Sequence, residues 1–146
     1  MNDAAEHLRQ AVSEYLPKLK ALSESEAATR RGDKWSPKEI LGHLIDSAAN
    51  NHQRFVRAQL VDKLVSPGYE QDAWVSVQKY QHRSWQDLLS FWEHYNRHLA
   101  HVIDVVPQGR LQTKCVIGEN EPVTLDFLMV DYVRHLRHHL EEVFAK

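Results

Sequence analysis

The chain has 146 residues, of which 26% are charged, and a formal net charge of -2. A chain of this length usually folds around one core, so we expect a single domain over residues 1–146. The near balance of charge argues against nucleic acid as a partner, because nucleic-acid binding normally shows as a clustered basic excess. No segment stays apolar long enough to cross a bilayer, and the first residues lack a leader pattern. These features predict a cytoplasmic protein with no membrane partner.

The first predicted helix runs from about Asp3 to about Leu22. Glycine and proline are scarce, and apolar residues recur at intervals of three and four, which is the period of a buried helical face. Pro17 removes a backbone donor and is expected to kink this helix. The stretch "SESEAATRRGD" that follows has no apolar stripe, so it is predicted to be a connector.

The second predicted helix has the clearest start signal. In "SPKE", Ser36 can cap the helix, Pro37 suits its first position and Glu39 can complete a capping box. We expect this helix to run to about Leu64, where "VSPGYEQDAW" breaks it. A shorter helix through "DAWVSVQKY" is predicted within a long crossover.

Two further long helices are predicted after the crossover. Ser84 can cap the third, whose apolar stripe stops at Pro107, and Thr124 can cap the last. Between them, "KCVIG" is expected to pair locally as an extended segment that is too short to define a sheet. Four long amphipathic helices, with a long crossover between the second and third, predict an all-α four-helix bundle. Such bundles commonly hold metals between facing helices.

The last helix carries a cluster of histidines in a chain that has 10 of them. Turning each residue by about 100° around the helix axis places His135 and His139 at one edge of the apolar stripe and His138 toward solvent. Rings at positions i and i+4 stand one above the other, which lets two imidazoles share one ion. A pair at a bundle edge is more often solvated or packed than ligating, so the pair alone leaves both alternatives open.

A third histidine lies on the second helix. His43, in "EILGHLIDS", falls at the edge of the apolar stripe, with Ser47, Asn50 and Arg54 along the same flank. Three neutral imidazoles with an open coordination position suit zinc, nickel or iron(II). The alternative is a buried histidine that is hydrogen-bonded to a backbone carbonyl.

Other chemistries find little support in the sequence. His94, His98 and His101 fall away from the apolar stripe of the third helix and are predicted to lie at the surface, and His52 has no identifiable partner. "HLRHH" lacks the glutamate of a metalloprotease helix, and the chain has no Glu-x-x-His motif for a carboxylate-bridged di-iron site. A lone cysteine, Cys115, excludes an internal disulfide and is a weak candidate for a nucleophile.

The stretches "KWSPKEILGHLIDSAANNHQRF", "YEQDAW" and "DYVRHLRHHLEEV" resemble the DinB-like superfamily, which includes YfiT-type proteins described as metal-dependent hydrolases. The resemblance spans essentially the whole chain. It implies a four-helix bundle that is often dimeric, so we expect a homodimer. It also implies that His43, His135 and His139 bind a divalent metal, and the rotation around the helix axes selects the same three residues.

The resemblance implies activity in a looser way. Some members of the superfamily transfer low-molecular-weight thiols to electrophilic substrates or isomerise maleylpyruvate with a thiol cofactor, so a thiol is an implied cofactor. Where many relatives carry a glutamine three residues after the last ligand, this chain has Glu142. A carboxylate there adds negative charge at the rim of the site and alters the surroundings of the ligands.

Two functional hypotheses follow from the sequence. In the first, the protein is a metal-dependent thiol transferase or hydrolase that acts on a small-molecule substrate. Residues expected to orient that substrate or to surround the ligands are Asn50, Arg54, Tyr132 and Glu142. No catalytic acid or base is assigned, because Asp46 and Asp131 both lean toward solvent on the helical projection. In the second hypothesis, the protein is a non-catalytic bundle that acts through self-association or partner binding.

Overall fold

Four long helices form the bundle that the apolar periodicity predicts. The computed structural model describes residues 3–145. The helices, in chain order, are α1 Ala4–Lys20, α2 Glu24–Ala27, α3 Pro37–Arg57, α4 Gln71–Gln78, α5 Trp85–Asp104 and α6 Leu125–Phe144. The strands are β1 Lys63–Ser66, β2 Lys114–Ile117 and β3 Val123–Thr124, and single 3-10 turns lie at Tyr80–His82 and Gln108–Arg110. The predicted four-helix bundle with a long crossover between α3 and α5 is confirmed.

The long helices after the first begin where the capping signals predict. The Ser36 hydroxyl accepts a hydrogen bond from the Glu39 amide, and the Glu39 carboxylate accepts one from the Ser36 amide. The side chains of Ser84 and Thr124 cap α5 and α6 by accepting from the amide three residues ahead. A cap satisfies an amide that the helix start leaves unpaired, and one such side chain contributes about 1 kcal/mol. The capping box thus fixes where α3 begins.

Each long helix packs against two of the others. α1 contacts α5 and α6, and α3 contacts the same two helices, so α1 and α3 lie diagonally across the bundle. Burying one large apolar side chain in such a core contributes about 1.5–3 kcal/mol. The largest fully buried side chains are Trp92, Phe55, Leu8, Leu19, Leu41, Leu44, Leu88, Leu99, Leu125, Met129, Leu136 and Leu140. Over residues 3–145, the helices lack the combination of length and apolar character that a bilayer crossing requires.

A small three-stranded sheet joins the two long connectors of the bundle. β1 runs parallel to β2, with Lys63 beside Lys114, and β2 runs antiparallel to β3. The expectation that "KCVIG" pairs locally is confirmed by its antiparallel partner β3. The expectation that it does not define a sheet is wrong, because β1, from the crossover before α5, adds a third strand on its other side. The same pairing takes Leu64 into a strand, so α3 ends at Arg57 rather than near Leu64.

The crossover packs on α3 through Tyr80. A Cβ added at Gly42 would lie 2.2 Å from Cδ2 of the Tyr80 ring, so the ring occupies the space that glycine leaves. The Tyr80 hydroxyl and the Gln78 side-chain amide donate to the same Asp46 oxygen, at 2.7 Å and 2.8 Å. Asp46 is only 2% exposed. The expectation that Asp46 leans toward solvent is wrong, because α4 and the following turn cover this flank of α3.

Candidate metal centre

Three imidazole rings from two helices converge at the edge of the core. His43 projects from α3, and His135 and His139 project from successive turns of α6. One ring nitrogen from each lies within 4.8 Å of the other two. The Nε2 atoms of His135 and His139 are 3.1 Å apart. Ligands that are 2.0–2.1 Å from a tetrahedral zinc ion are separated by about 3.3 Å, so this pair already has the spacing of ligands to one ion.

The nitrogens of His43 have no protein partner. The residue is fully buried, and neither Nδ1 nor Nε2 makes a hydrogen bond within residues 3–145. A buried polar atom left without a partner costs about 1–3 kcal/mol, and nearly all such atoms in folded proteins are satisfied. The alternative of a histidine bonded to a backbone carbonyl is therefore wrong for His43. Unpartnered imidazole nitrogens that face two further imidazoles fit the ligand set of a divalent transition metal.

All three imidazoles are held in the neutral form. Burial, together with the neighbouring His139 and His135, lowers the pKa of His43 from 6.5 to about 4. Burial is also the main cause that lowers the pKa of His135 and of His139, although Glu142 raises both in part. A metal binds to the unprotonated nitrogen of a neutral imidazole. Because these three rings are already neutral near pH 7, no proton has to be released when a metal binds.

We expect the metal-free protein to lose stability as the pH is lowered from neutrality toward 4. The folded-state pKa of His43 is about 4 against an ordinary 6.5, so between these values the unfolded chain binds more protons than the folded one. Stability therefore rises with pH across this interval and levels off above it. Burial raises the pKa of Asp46, and this shift makes stability fall as the pH rises, opposite to the effect of His43. The comparison of wild type with His43→Leu isolates the contribution of His43, because Asp46 is present in both proteins. Thermal unfolding at stepped pH measures the difference, and parallel curves for the two proteins would contradict it.

Two further side chains, Trp35 and Glu142, border the cluster. The Trp35 ring lies 5.2 Å from the His43 ring, measured between centroids. The Glu142 carboxylate lies 3.4 Å from Nδ1 of His139, within ion-pair distance but without the alignment of a hydrogen bond. Its other oxygen lies 3.1 Å from Nε2 of His138, whose side chain is 68% exposed as the helical projection predicts. Glu142 is therefore placed to act on the ring of His139 from the side opposite Nε2.

Replacing Glu142 by glutamine is expected to weaken metal binding about tenfold, because a carboxylate beside a ligating imidazole orients the ring and raises its basicity. Affinity is measured by competition with a chelator of known strength. Glu141→Gln is the matched control, since Glu141 is the exposed neighbour on the same helix. Equal affinities for the two variants would show that the Glu142 carboxylate does not support His139.

A cavity of about 360 Å³ opens beside the cluster and reaches His135. Its helical walls are formed by Ser47, Asn51 and Arg54 of α3 and by Phe127, Leu128, Asp131, Tyr132 and His135 of α6. The connectors close it with residues that no helical period could have predicted: Gly68, Tyr69, Gln71, Ile117, Asn120, Glu121 and Val123. Burial raises the pKa of the Tyr69 hydroxyl to about 12, so this group is a hydrogen-bond donor at neutral pH. The cavity gives a small molecule access to His135, the one of the three imidazoles that lines it.

The residues predicted to surround the ligands take up different positions. Arg54 and Tyr132 line the cavity, but the Tyr132 hydroxyl donates to the buried side chain of Asn96. Asn50 donates to the backbone carbonyl of Asp46 and borders a different cavity, so the structure does not bring it to the cluster. Only Glu142 of the four lies against a ligand ring.

A second group of histidines lies away from the cluster. The sequence shows no partner for His52, but its Nδ1 lies 2.9 Å from the Tyr95 hydroxyl, and its ring lies 5.3 Å from that of His98. His94, His98 and His101 are exposed, as predicted. Among residues 3–145, only His43, His135 and His139 form a cluster of three or more side chains that could hold a metal.

The sequence matches the family model of the DinB superfamily over residues 7–143. None of the curated protein sequences is similar enough to count as a match. Among solved structures, the fold is similar to that of YfiT from Bacillus subtilis, described as a probable metal-dependent hydrolase with an unusual four-helix bundle topology. That match has a TM-score of 0.85 and 17% sequence identity, and it covers 97% of this chain and 82% of that chain.

The fold is also similar to that of a mycothiol-dependent maleylpyruvate isomerase, with a TM-score of 0.80 and 13% identity. The match covers 98% of this chain and 60% of that chain. A variant of that isomerase gives a TM-score of 0.81 at 12% identity, over 99% of this chain and 60% of that chain. At these identities the likeness establishes a shared fold.

Proposed function

The chain belongs to the DinB superfamily, and on that premise we propose that it is a metal-dependent enzyme whose ligands are His43, His135 and His139. The observation that carries the proposal is the pair of unpartnered nitrogens on the fully buried ring of His43, facing two more imidazoles. Three protein ligands leave a coordination position open to water or to a substrate atom. A small molecule reaches that position through the cavity beside His135.

The surrounding residues have separate tasks in this proposal. A divalent ion in such a site supplies a nucleophile at neutral pH by lowering the pKa of a bound water or thiol. Glu142 orients His139, and the Trp35 ring packs beside His43. The Tyr69 hydroxyl, which stays protonated at neutral pH, donates a hydrogen bond to a substrate in the cavity.

We propose hydrolysis or thiol transfer as the reaction class, with a low-molecular-weight thiol as cosubstrate in the second case. Support comes from the similar structures, one described as a probable metal-dependent hydrolase and the other as a mycothiol-dependent isomerase. Both reactions need a nucleophile generated at neutral pH and an electrophile held beside it. The ligand set and the adjacent cavity suit that requirement.

Metal content of untagged protein, measured by plasma mass spectrometry, tests the proposal. We expect about one zinc, nickel or iron ion per chain, as a three-histidine site predicts. The double variant His94→Ala and His98→Ala removes two exposed histidines of α5 and should keep the full metal content. Metal-loaded protein is then assayed against panels of esters and amides, and against electrophiles with added thiols.

Two outcomes would contradict the proposal. Wild-type protein that contains no metal and binds no added zinc, nickel or iron would favour the alternative of a non-catalytic bundle. Metal that disappears in the double variant would place the ion on the exposed surface of α5 instead of at the three-histidine cluster.

A further inference from the structure

We propose that the cavity beside the three histidines contains a subsite for an anionic group, a carboxylate or a phosphate, formed around Arg54. The inference rests on the proposed function, because it assigns the charge of the substrate at that same site. The ligand is then a small molecule that carries its negative charge at the end remote from the imidazoles.

Arg54 is a buried cation without a carboxylate partner. It is 8% exposed and lines the cavity from α3. Within residues 3–145, no Asp or Glu side chain lies within ion-pair distance of it. Its one hydrogen bond in that range runs from Nη2 to the backbone carbonyl of Pro67, at 3.2 Å.

A guanidinium in such surroundings is costly unless something pairs with it. Arginine is almost never buried without a partner, and removing its charge from water costs several kcal/mol. Burial lowers the pKa of Arg54, but the group remains protonated at neutral pH. Five donors with one protein acceptor leave a fork that matches the two oxygens of a carboxylate or phosphate. The missing partner is therefore assigned to the ligand.

The acidic residues of the same cavity do not fill this role. Glu121 is exposed, and Asp131 forms an ion pair with the exposed Arg134. Charges in contact with water interact weakly across several ångströms, whereas Arg54 lies in the low-dielectric wall. Arg54 is thus the least solvent-screened permanent charge among the lining residues, and Asp131 acts electrostatically on His135.

The spacing of the two ends limits the kind of ligand. Along α6 the cavity runs from Phe127 to His135, which is about 12 Å at 1.5 Å per residue. Arg54 lies on the neighbouring helix, with Asn51 one turn nearer the imidazoles. A substrate that reacts at the imidazoles and binds Arg54 therefore carries its anionic group several bonds away from the group that reacts.

The test is calorimetric titration of metal-loaded protein with inorganic phosphate and with linear dicarboxylates of increasing length. Arg54→Met is expected to weaken their binding about 10- to 100-fold, the range for losing a charge-assisted hydrogen bond. Arg54→Lys keeps the charge and should lose less. Arg57→Met is the matched control, because Arg57 is exposed on the same helix and bonds to Gln53. We expect its affinities to equal those of the wild type.

Metal affinity and thermal unfolding of Arg54→Met separate the two proposals. We expect unchanged metal affinity, and an unfolding midpoint at or above that of the wild type, because methionine removes an uncompensated buried charge. Anion binding that is equal in wild type and Arg54→Met overturns the subsite and leaves the metal site standing. A midpoint well below wild type also overturns it, since Arg54 would then be structural. Wild-type protein that takes up no zinc, nickel or iron but still binds anions in an Arg54-dependent way supports the subsite and overturns the metal-dependent function.

Discussion

Replacing His43 by leucine is expected to abolish tight metal binding and at the same time to stabilise the metal-free protein. Losing one of three protein ligands should weaken binding by more than about 100-fold, the upper range for removing a group that only supports a ligand. The buried ring has two nitrogens without a partner, so an apolar side chain of similar size relieves about 1–3 kcal/mol of unfavourable burial. The two effects have opposite signs because the His43 nitrogens are satisfied when a metal is bound and unsatisfied when it is not.

The measurement is unfolding of wild type and His43→Leu, each with and without zinc. Zinc should raise the midpoint of the wild type by mass action and leave that of the variant unchanged. His94→Leu is the control, because His94 lies exposed on α5 and should retain the zinc response. A variant that still responds to zinc would remove His43 from the ligand set. A metal-free variant less stable than the wild type would show that the imidazole contributes to packing.

Gly42→Ala should cost about 2 kcal/mol of stability, although alanine is the better helix former. Helix propensity alone would favour the change by about 1 kcal/mol. The new Cβ would meet the Tyr80 ring at 2.2 Å, so the ring must move. Tyr80 is 4% exposed and bonded to Asp46, and overpacking a buried aromatic forces shifts that cost 1–3 kcal/mol or more. The steric loss therefore exceeds the gain in propensity.

Chemical denaturation of Gly42→Ala beside Gly109→Ala measures this effect. A Cβ at Gly109 would have nothing within 4 Å, so that control should unfold with the wild type. For a chain of this size a loss of about 2 kcal/mol corresponds to a drop of about 4–8 °C in the unfolding midpoint. Stability of Gly42→Ala within error of the control would mean that Tyr80 can leave α3 freely, which would contradict its place in the packing.

The parts of the fold that could be predicted from the sequence are those encoded within a few residues. Ser36 and Glu39 lie in one turn, so their reciprocal bonds could be read directly from "SPKE". The positions of His43, His135 and His139 followed from rotation about each helix axis, since all three lie near the buried stripes. That rotation could show on which side of its own helix each ring lies. It could not show that α3 and α6 bring those sides together, because this depends on the packing of the whole bundle.

The parts that could not be predicted depend on contacts between distant segments. β1 becomes a strand because β2 lies beside it, and nothing in "KLVS" alone separates it from the end of α3. Asp46 is covered by Gln78 and Tyr80, which approach from the crossover. The partner of His52, Tyr95, lies on another helix. In each case a helical projection describes one helix in solvent, whereas the neighbouring segment decides which flank is buried.

The pairing of β1 with β2 makes the crossover and the later connector a single exchangeable unit. The segments that follow these strands supply Tyr69 and Asn120 to the lining of the cavity. A chimaera that grafts residues 58–84 alone would pair β1 with a foreign strand in place of β2. Grafting residues 105–124 as well would transfer both strands and keep their pairing. Transferring ligand preference between such bundles should therefore require both segments. A substitution selected in one segment should also constrain which residues the other segment tolerates.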